Sequence, residues 1–262
     1  MTTDSNLRRV RRSGGWAPDV SLWTAISAFV VGGLMLGEFF TALWTGSRPQ
    51  LDAGVPLEVY ARHTHIATLI RVLVDTLLMA FLIVFLGGFR QMVTRVRDDL
   101  QWMADLAFGA GLVFVGVSLV GDSLEAGGAL DTVGSVPDGT AIRALTEGYL
   151  VMFGPMSCVL LALVSAASGY VILATRVLPA WVGRLAWLVA LLNAIAVSSI
   201  FGGTDADTFY SVGGWGVAAF ATFPWLAWVV TVGAVTLRER TLHVVRDEVD
   251  TVQLPVQSVA KD

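Results

Sequence analysis

Residues 66–86 read IATLIRVLVDTLLMAFLIVFL, 21 positions with neither Gly nor Pro. At about 1.5 Å of rise per residue, a helix of this length crosses a bilayer core about 30 Å thick. An apolar run this long commits the chain to a membrane. Yet it carries Arg71 and Asp75, four residues apart and so on one helical face. Whatever fold forms must turn that face away from lipid.

Similar runs recur along the 262 residues. Only 15% of the chain is charged and 55% is hydrophobic, whereas a soluble domain has about 25% charged residues. The mean hydropathy is +0.70. Lys261 is the only lysine among 17 basic residues. With so much Ala, Val and Gly, that usage points to a bacterial source. The single cysteine, Cys158, forms no intrachain disulfide. Arg8, Arg9, Arg11 and Arg12 precede the first apolar run. That run extends over 21–45, longer than the roughly 7–15 residues of a signal sequence, and reads as a retained first span.

Six spans are predicted, at 22–45, 66–88, 103–125, 145–174, 182–202 and 211–237, in an all-α polytopic bundle. A basic tail (1–20) precedes the six-helix domain (21–238), and a polar tail (239–262) follows it. Gly154-Pro155 predicts a kink in span 4, and Pro224 falls in span 6. Gly33 and Gly37 form a G-x-x-x-G pair suited to close packing inside the bundle. Trp16 and Trp23 suit one membrane interface and Trp44 the other.

Basic residues set the orientation. The N-tail, the 89–102 and 175–184 connections and the C-tail hold Arg8, Arg9, Arg11, Arg12, Arg90, Arg95, Arg97, Arg176, Arg184, Arg238, Arg240, Arg246 and Lys261. The opposite loops hold Arg48, Arg62 and Arg143 among Asp52, Glu58, Asp131, Asp138, Asp205 and Asp207. The positive-inside rule then places both termini in the cytoplasm and the chain in the bacterial plasma membrane.

Charges within spans are costly, about 2.5–3.5 kcal/mol each at the centre on insertion scales, and call for partners. Helical rise places Glu38, Arg71 and Asp75 at similar depths in the outer half of spans 1 and 2. The expected cluster is Arg71 between Glu38 and Asp75, its planar fork serving both carboxylates. Asp122 and Glu125, near the outer end of span 3, and Arg143 and Glu147, near the outer start of span 4, would extend it into a polar vestibule. The candidate polar site is therefore Glu38, Arg71, Asp75, Asp122 and Glu147. A structural ion-pair lock between spans 1 and 2 explains the first three as well as a binding site or ion path does. Asn193 reads as an interhelical hydrogen bond and Cys158 with Ser157 as small packing residues. His63 and His65, in the loop before span 2, are read as a solvated pair rather than metal ligands.

Three segments resemble bacterial six-helix membrane proteins grouped under a domain of unknown function. These are Gly37-Glu38-Phe39-Phe40, the 70–75 stretch that opens span 2, and the 168–183 stretch SGYVILATRVLPAWVG. Phe223-Pro224-Trp225 before an Arg-ended last helix is also similar. The resemblance implies six spans and, since that family has no established activity, supports nothing catalytic.

No G-x-S-x-G, H-E-x-x-H, phosphate loop or C-x-x-C occurs. No internal repeat is evident, so transport has no support from inverted symmetry. No basic patch exceeds what topology demands, which speaks against nucleic-acid binding. The expectation is a non-enzymatic membrane subunit or sensor without a cofactor. Its surroundings would be the lipid bilayer and a protein partner or second copy of the chain. The alternative is a transporter of a small molecule or ion through the outer-half charge cluster.

Overall fold

The computed structural model describes residues 19–46, 48–133 and 138–253, with the backbone alone for 243–253. Trp16 and the basic residues Arg8, Arg9, Arg11, Arg12 and Lys261 lie outside the described residues, as does the side chain of Arg246. The described residues form helices and no strands. They are α1 (Val20–Thr45), α2 (Val55–Thr94), α3 (Gln101–Asp131), α4 (Gly139–Val151), α5 (Ser157–Thr175), α6 (Ala180–Ala196), α7 (Trp215–Val217) and α8 (Phe223–Gln253). Widened π turns, Met152–Met156 and Ala218–Thr222, join α4 to α5 and α7 to α8. Six continuous helical stretches are long and apolar enough to cross a membrane.

The stretches pack in chain order around a closed ring. α1 lies against α2, α2 against α3, α3 against α5, α5 against α6, α6 against α8, and α8 returns to α1. The apolar centre draws Phe85 and Phe89 from α2, Phe114 from α3, Val171 and Ile172 from α5, Val189 from α6 and Trp228 from α8. Packing of these side chains holds the ring together. The chain enters and leaves the ring at one end, where Arg240 of α8 donates to Asp19 at 2.7 Å. Asp19 also caps α1 by accepting from the Leu22 amide at 3.2 Å. Burial works to raise the Asp19 carboxyl, but the bonds from Arg240 and Leu22 outweigh it and hold it below its ordinary value.

The α5–α6 turn shows why the glycine-containing 168–183 segment reads as it does. Arg176 adopts φ 56°, a left-handed cap that ends α5, and Pro179 starts α6. The two helices then meet at glycines. A Cβ on Gly169 would lie 2.9 Å from the Gly183 carbonyl oxygen, and one on Gly183 would lie 2.8 Å from Leu173 Cγ. A backbone carbonyl cannot swing aside, so Gly169→Ala is expected to destabilise by about 1–3 kcal/mol. Gly33 offers the control. A Cβ there meets nothing within 4 Å, so Gly33→Ala should be neutral or stabilising by up to about 1 kcal/mol. Unfolding of both variants in one detergent gives the comparison, and equal stability of the two would contradict the tight crossing.

Several sequence expectations are corrected. The open space around Gly33 and Gly37 shows that the G-x-x-x-G pair does not pack inside the bundle; the close glycines of α1 and α2 are Gly32 and Gly88 instead, facing Val230 and Thr24. His63 and His65 sit on α2, not in a loop, because helix starts at Val55 with Pro56 in its first turn. His65 Nδ1 lies 2.6 Å from the Arg62 carbonyl oxygen. Asn193 donates to Val189 of its own helix at 2.9 Å rather than across helices. The last helix continues through Gln253, so the described part of the 239–262 tail is helical. The kink at Gly154-Pro155 is present: Gly154 has φ −84° and ψ −110°, off the helical path. Trp23 and Trp44 occupy opposite ends of α1, 50% and 92% exposed.

Candidate functional site

The charges within the apolar stretches gather toward the end of the ring away from the Asp19–Arg240 contact. Their gathering follows from neighbouring helices. α2 lies between α1 and α3, so its polar face meets Glu38 on one side and Asp122 and Glu125 on the other. Asp122 and Glu125 are three residues apart and share a face of α3. Arg71 pairs with Glu125. Its guanidinium carbon also stands 5.6 Å from the centre of the Tyr149 ring, a cation–π distance.

This corrects the expected pairing. Arg71 does not bridge Glu38 and Asp75; its ion-pair partner is on α3. The Asp75 carboxyl instead lies within hydrogen-bonding reach of both Glu38 and Asp122. Asp75 and Asp122 are 3% and 4% exposed. One carboxyl oxygen each of Glu38, Asp75 and Asp122 is buried without a hydrogen-bond partner. Among the candidate residues, Glu147 stands apart, accepting from Arg143 at 2.8 Å on the half-exposed flank of α4.

Two cavities open around these groups. The larger, about 540 Å³, is lined by Arg48, Tyr60, Thr64, Arg71, Tyr149 and Trp215 among others. The deeper, about 260 Å³, holds Glu38, Asp75, Asp122, Phe114, Cys158 and Trp225 in its wall. Arg71, Glu125 and Tyr149 border both. The ion pair thus stands where the larger cavity, a vestibule, adjoins the deeper one, an inner chamber. Arg48, on the α1–α2 connection, has a buried Nε without a hydrogen-bond partner. Burial is the main cause that draws its guanidinium below the ordinary value, against the pull of Tyr149 and Tyr60.

Both π turns contribute to the inner chamber. Phe153 and Gly154 come from the first, Ala218, Ala221 and Thr222 from the second. Such turns recur at functional sites because they widen the helix and re-aim its side chains. Here Phe153 also fills the space opposite Gly121 of α3, where a Cβ would meet its ring at 2.7 Å. The Trp225 indole N–H, in the turn after Pro224, is buried without a partner in the same wall.

Sequence reading underweighted Glu125 and missed Tyr149, Trp225 and Arg48. Glu125 was legible as a span charge at the right spacing from Asp122. Tyr149 and Trp225 carried no such mark, since aromatic residues inside spans usually only fill space. Among the described residues, no three His, Cys, Asp or Glu side chains are placed to hold a metal.

No protein-family model matches the chain, and neither a curated protein nor a solved structure is significantly similar to it. The likeness to six-helix membrane proteins therefore rests on the short segments that suggested it.

Proposed function

We propose that this chain is a non-enzymatic multi-pass protein of a bacterial cytoplasmic membrane that binds a small ligand from the outer side, as a sensor or as the membrane subunit of a larger assembly. The observation behind it is the pair of adjoining cavities, the deeper one holding three buried acids that form no ion pair among the described residues. Intramembrane ionisable groups without partners are retained at a cost, which favours a role beyond locking helices together. Both termini face the cytoplasm in this reading. Arg90, Arg95, Arg97, Arg176, Arg184, Arg238 and Arg240 lie toward the end where the chain enters and leaves the ring. The positive-inside rule then turns the vestibule outward. A protein partner or a second copy would read the bound state.

A transporter is the second reading. It is favoured by the break at Gly154 within Met152–Met156 and by the widened turn at Ala218–Thr222, both of which border the inner chamber. Discontinuous helices at a midplane site are a recurring device of carriers, where they rearrange to expose the site alternately.

Cys158 distinguishes these readings, because it is the only cysteine and lies in the inner wall. Right-side-out and inverted vesicles would be treated with small membrane-impermeant methanethiosulfonates, one cationic and one anionic. Remaining thiol would be counted by maleimide-polyethylene glycol gel shift in SDS. Modification from the outer side alone is expected. Modification from both sides would support the carrier. A thiol protected from both sides, yet reactive in SDS, would remove the accessible chamber and the binding role together. Modification only in inverted vesicles would reverse the assigned orientation.

A further inference from the structure

We propose that the inner chamber takes a small organic ammonium ion, its charged head held among Glu38, Asp75 and Asp122 and its apolar body against Phe39, Phe114 and Trp225. This rests on the ligand-binding reading above and names the class of ligand.

Charge balance is the first support. Four acids border the chamber, Glu38, Asp75, Asp122 and Glu125, with Arg71 as the one basic residue in its wall. Glu125 takes Arg71. The other three carboxyls are left to face one another around Asp75, each with a buried oxygen lacking a donor. Like carboxylates at such range repel unless a cation or protons sit among them.

The second support is the wall itself. An ammonium head offers several N–H donors to those oxygens, and charge-assisted bonds of this kind are among the strong ones. The remaining wall is aromatic and thioether-rich, with Phe39, Phe114, Phe153, Trp225, Met35 and Met79. Aromatic faces attract a quaternary or primary ammonium group, and more so when water is excluded. A bare metal ion would leave that surface unused, and no metal-sized set of ligands is formed among the described residues. Independently of the acids, the buried Trp225 N–H awaits an acceptor in the same wall. An amine bearing an ether or hydroxyl oxygen would satisfy both ends.

The test uses the full chain in lipid nanodiscs at constant ionic strength. The probes are butylammonium, 2-methoxyethylammonium, butanol, butyrate, and sodium or potassium chloride alone. Thermal unfolding and protection of Cys158 from the cationic methanethiosulfonate are read together. The two ammonium ions should raise the unfolding midpoint in a saturable way and slow the modification of Cys158. Asp75→Asn and Glu38→Gln should each weaken binding by about tenfold or more, as truncating a desolvated charge pair does. Trp225→Phe should selectively weaken the methoxy compound. If either acid variant fails to fold, Cys158 protection in the unaltered chain still decides. Equal effects of butanol or butyrate, or full binding by Asp75→Asn, would overturn the assignment. So would a response to sodium or potassium alone, which marks an inorganic ion site. No response to any probe, with Cys158 still labelled from outside, would remove the ammonium ligand and leave the chamber's binding role standing. An unreactive Cys158 would remove both.

Discussion

Arg71→Ala is expected to destabilise the protein far more than the paired change Arg71→Met with Glu125→Leu. Arg71 joins α2 to α3 through Glu125 and stacks near Tyr149. Taking the cation alone leaves Glu125 without its counter-charge, in a chamber whose wall also holds Glu38, Asp75 and Asp122. Breaking a buried ion pair from one side costs about 3–5 kcal/mol, whereas replacing both partners by apolar residues of similar volume is often neutral. Both side chains keep some exposure, 25% for Arg71 and 18% for Glu125, so the lower end of that range is expected. A third variant separates this pairing from the one inferred by depth. In Glu38→Gln, Arg71→Met, Asp75→Asn the supposed partners are all neutral, yet Glu125 still loses its cation. That triple variant should gain less over Arg71→Ala than the paired change does. Unfolding of the purified variants in mixed micelles checks the order. A triple variant as stable as the unaltered chain would restore the Glu38–Arg71–Asp75 pairing.

Trp228→Ala should cost a similar amount for a different reason. The Trp228 ring is fully buried at the centre of the ring of helices. It meets Phe85 edge-on at 6.3 Å between centroids and Phe89 at 6.2 Å, with planes at 86° and 74°. These contacts hold α8 to α2 across the bundle. Truncation leaves a cavity deep in the core, and Trp→Ala in a packed core typically costs about 3–5 kcal/mol. Trp228→Phe should be much milder, since it keeps an aromatic ring and removes an indole N–H that has no hydrogen-bond partner. The same micelle titration gives both numbers. Alanine and phenylalanine variants of equal stability would show that aromatic packing at this position does not hold the bundle.

The closed ring also explains which sequence expectations succeed. Span number follows from the length of apolar runs, since each backbone polar group in lipid must be satisfied within its own helix. Gly154-Pro155 predicts its own break, because proline lacks the N–H its turn needs. The loop boundaries fail wherever helix extends past the apolar run. Residues 55–65 are more polar than the run that follows yet helical, with Pro56 in the first turn and Leu57 and Thr64 lining the vestibule. Hydropathy marks where an apolar run ends, not where helix stops.

The sequence by itself determined the all-helical architecture, the count of six apolar stretches and the presence of costly charges at similar depth. Those are properties of single segments: length, polarity and position along a helix of fixed rise. Only the tertiary structure decided who pairs with whom. Depth brought Glu38, Arg71 and Asp75 to one level, but depth says nothing about rotation of one helix about its axis relative to the next. Packing of α2 between α1 and α3 fixed that rotation, gave Arg71 to Glu125 and left Asp75 between Glu38 and Asp122. Ring closure by α8 then brought Trp225 to the same chamber as Asp75, 150 residues earlier in sequence. A contact of that kind depends on the shapes of all the intervening helices, and no local pattern encodes it.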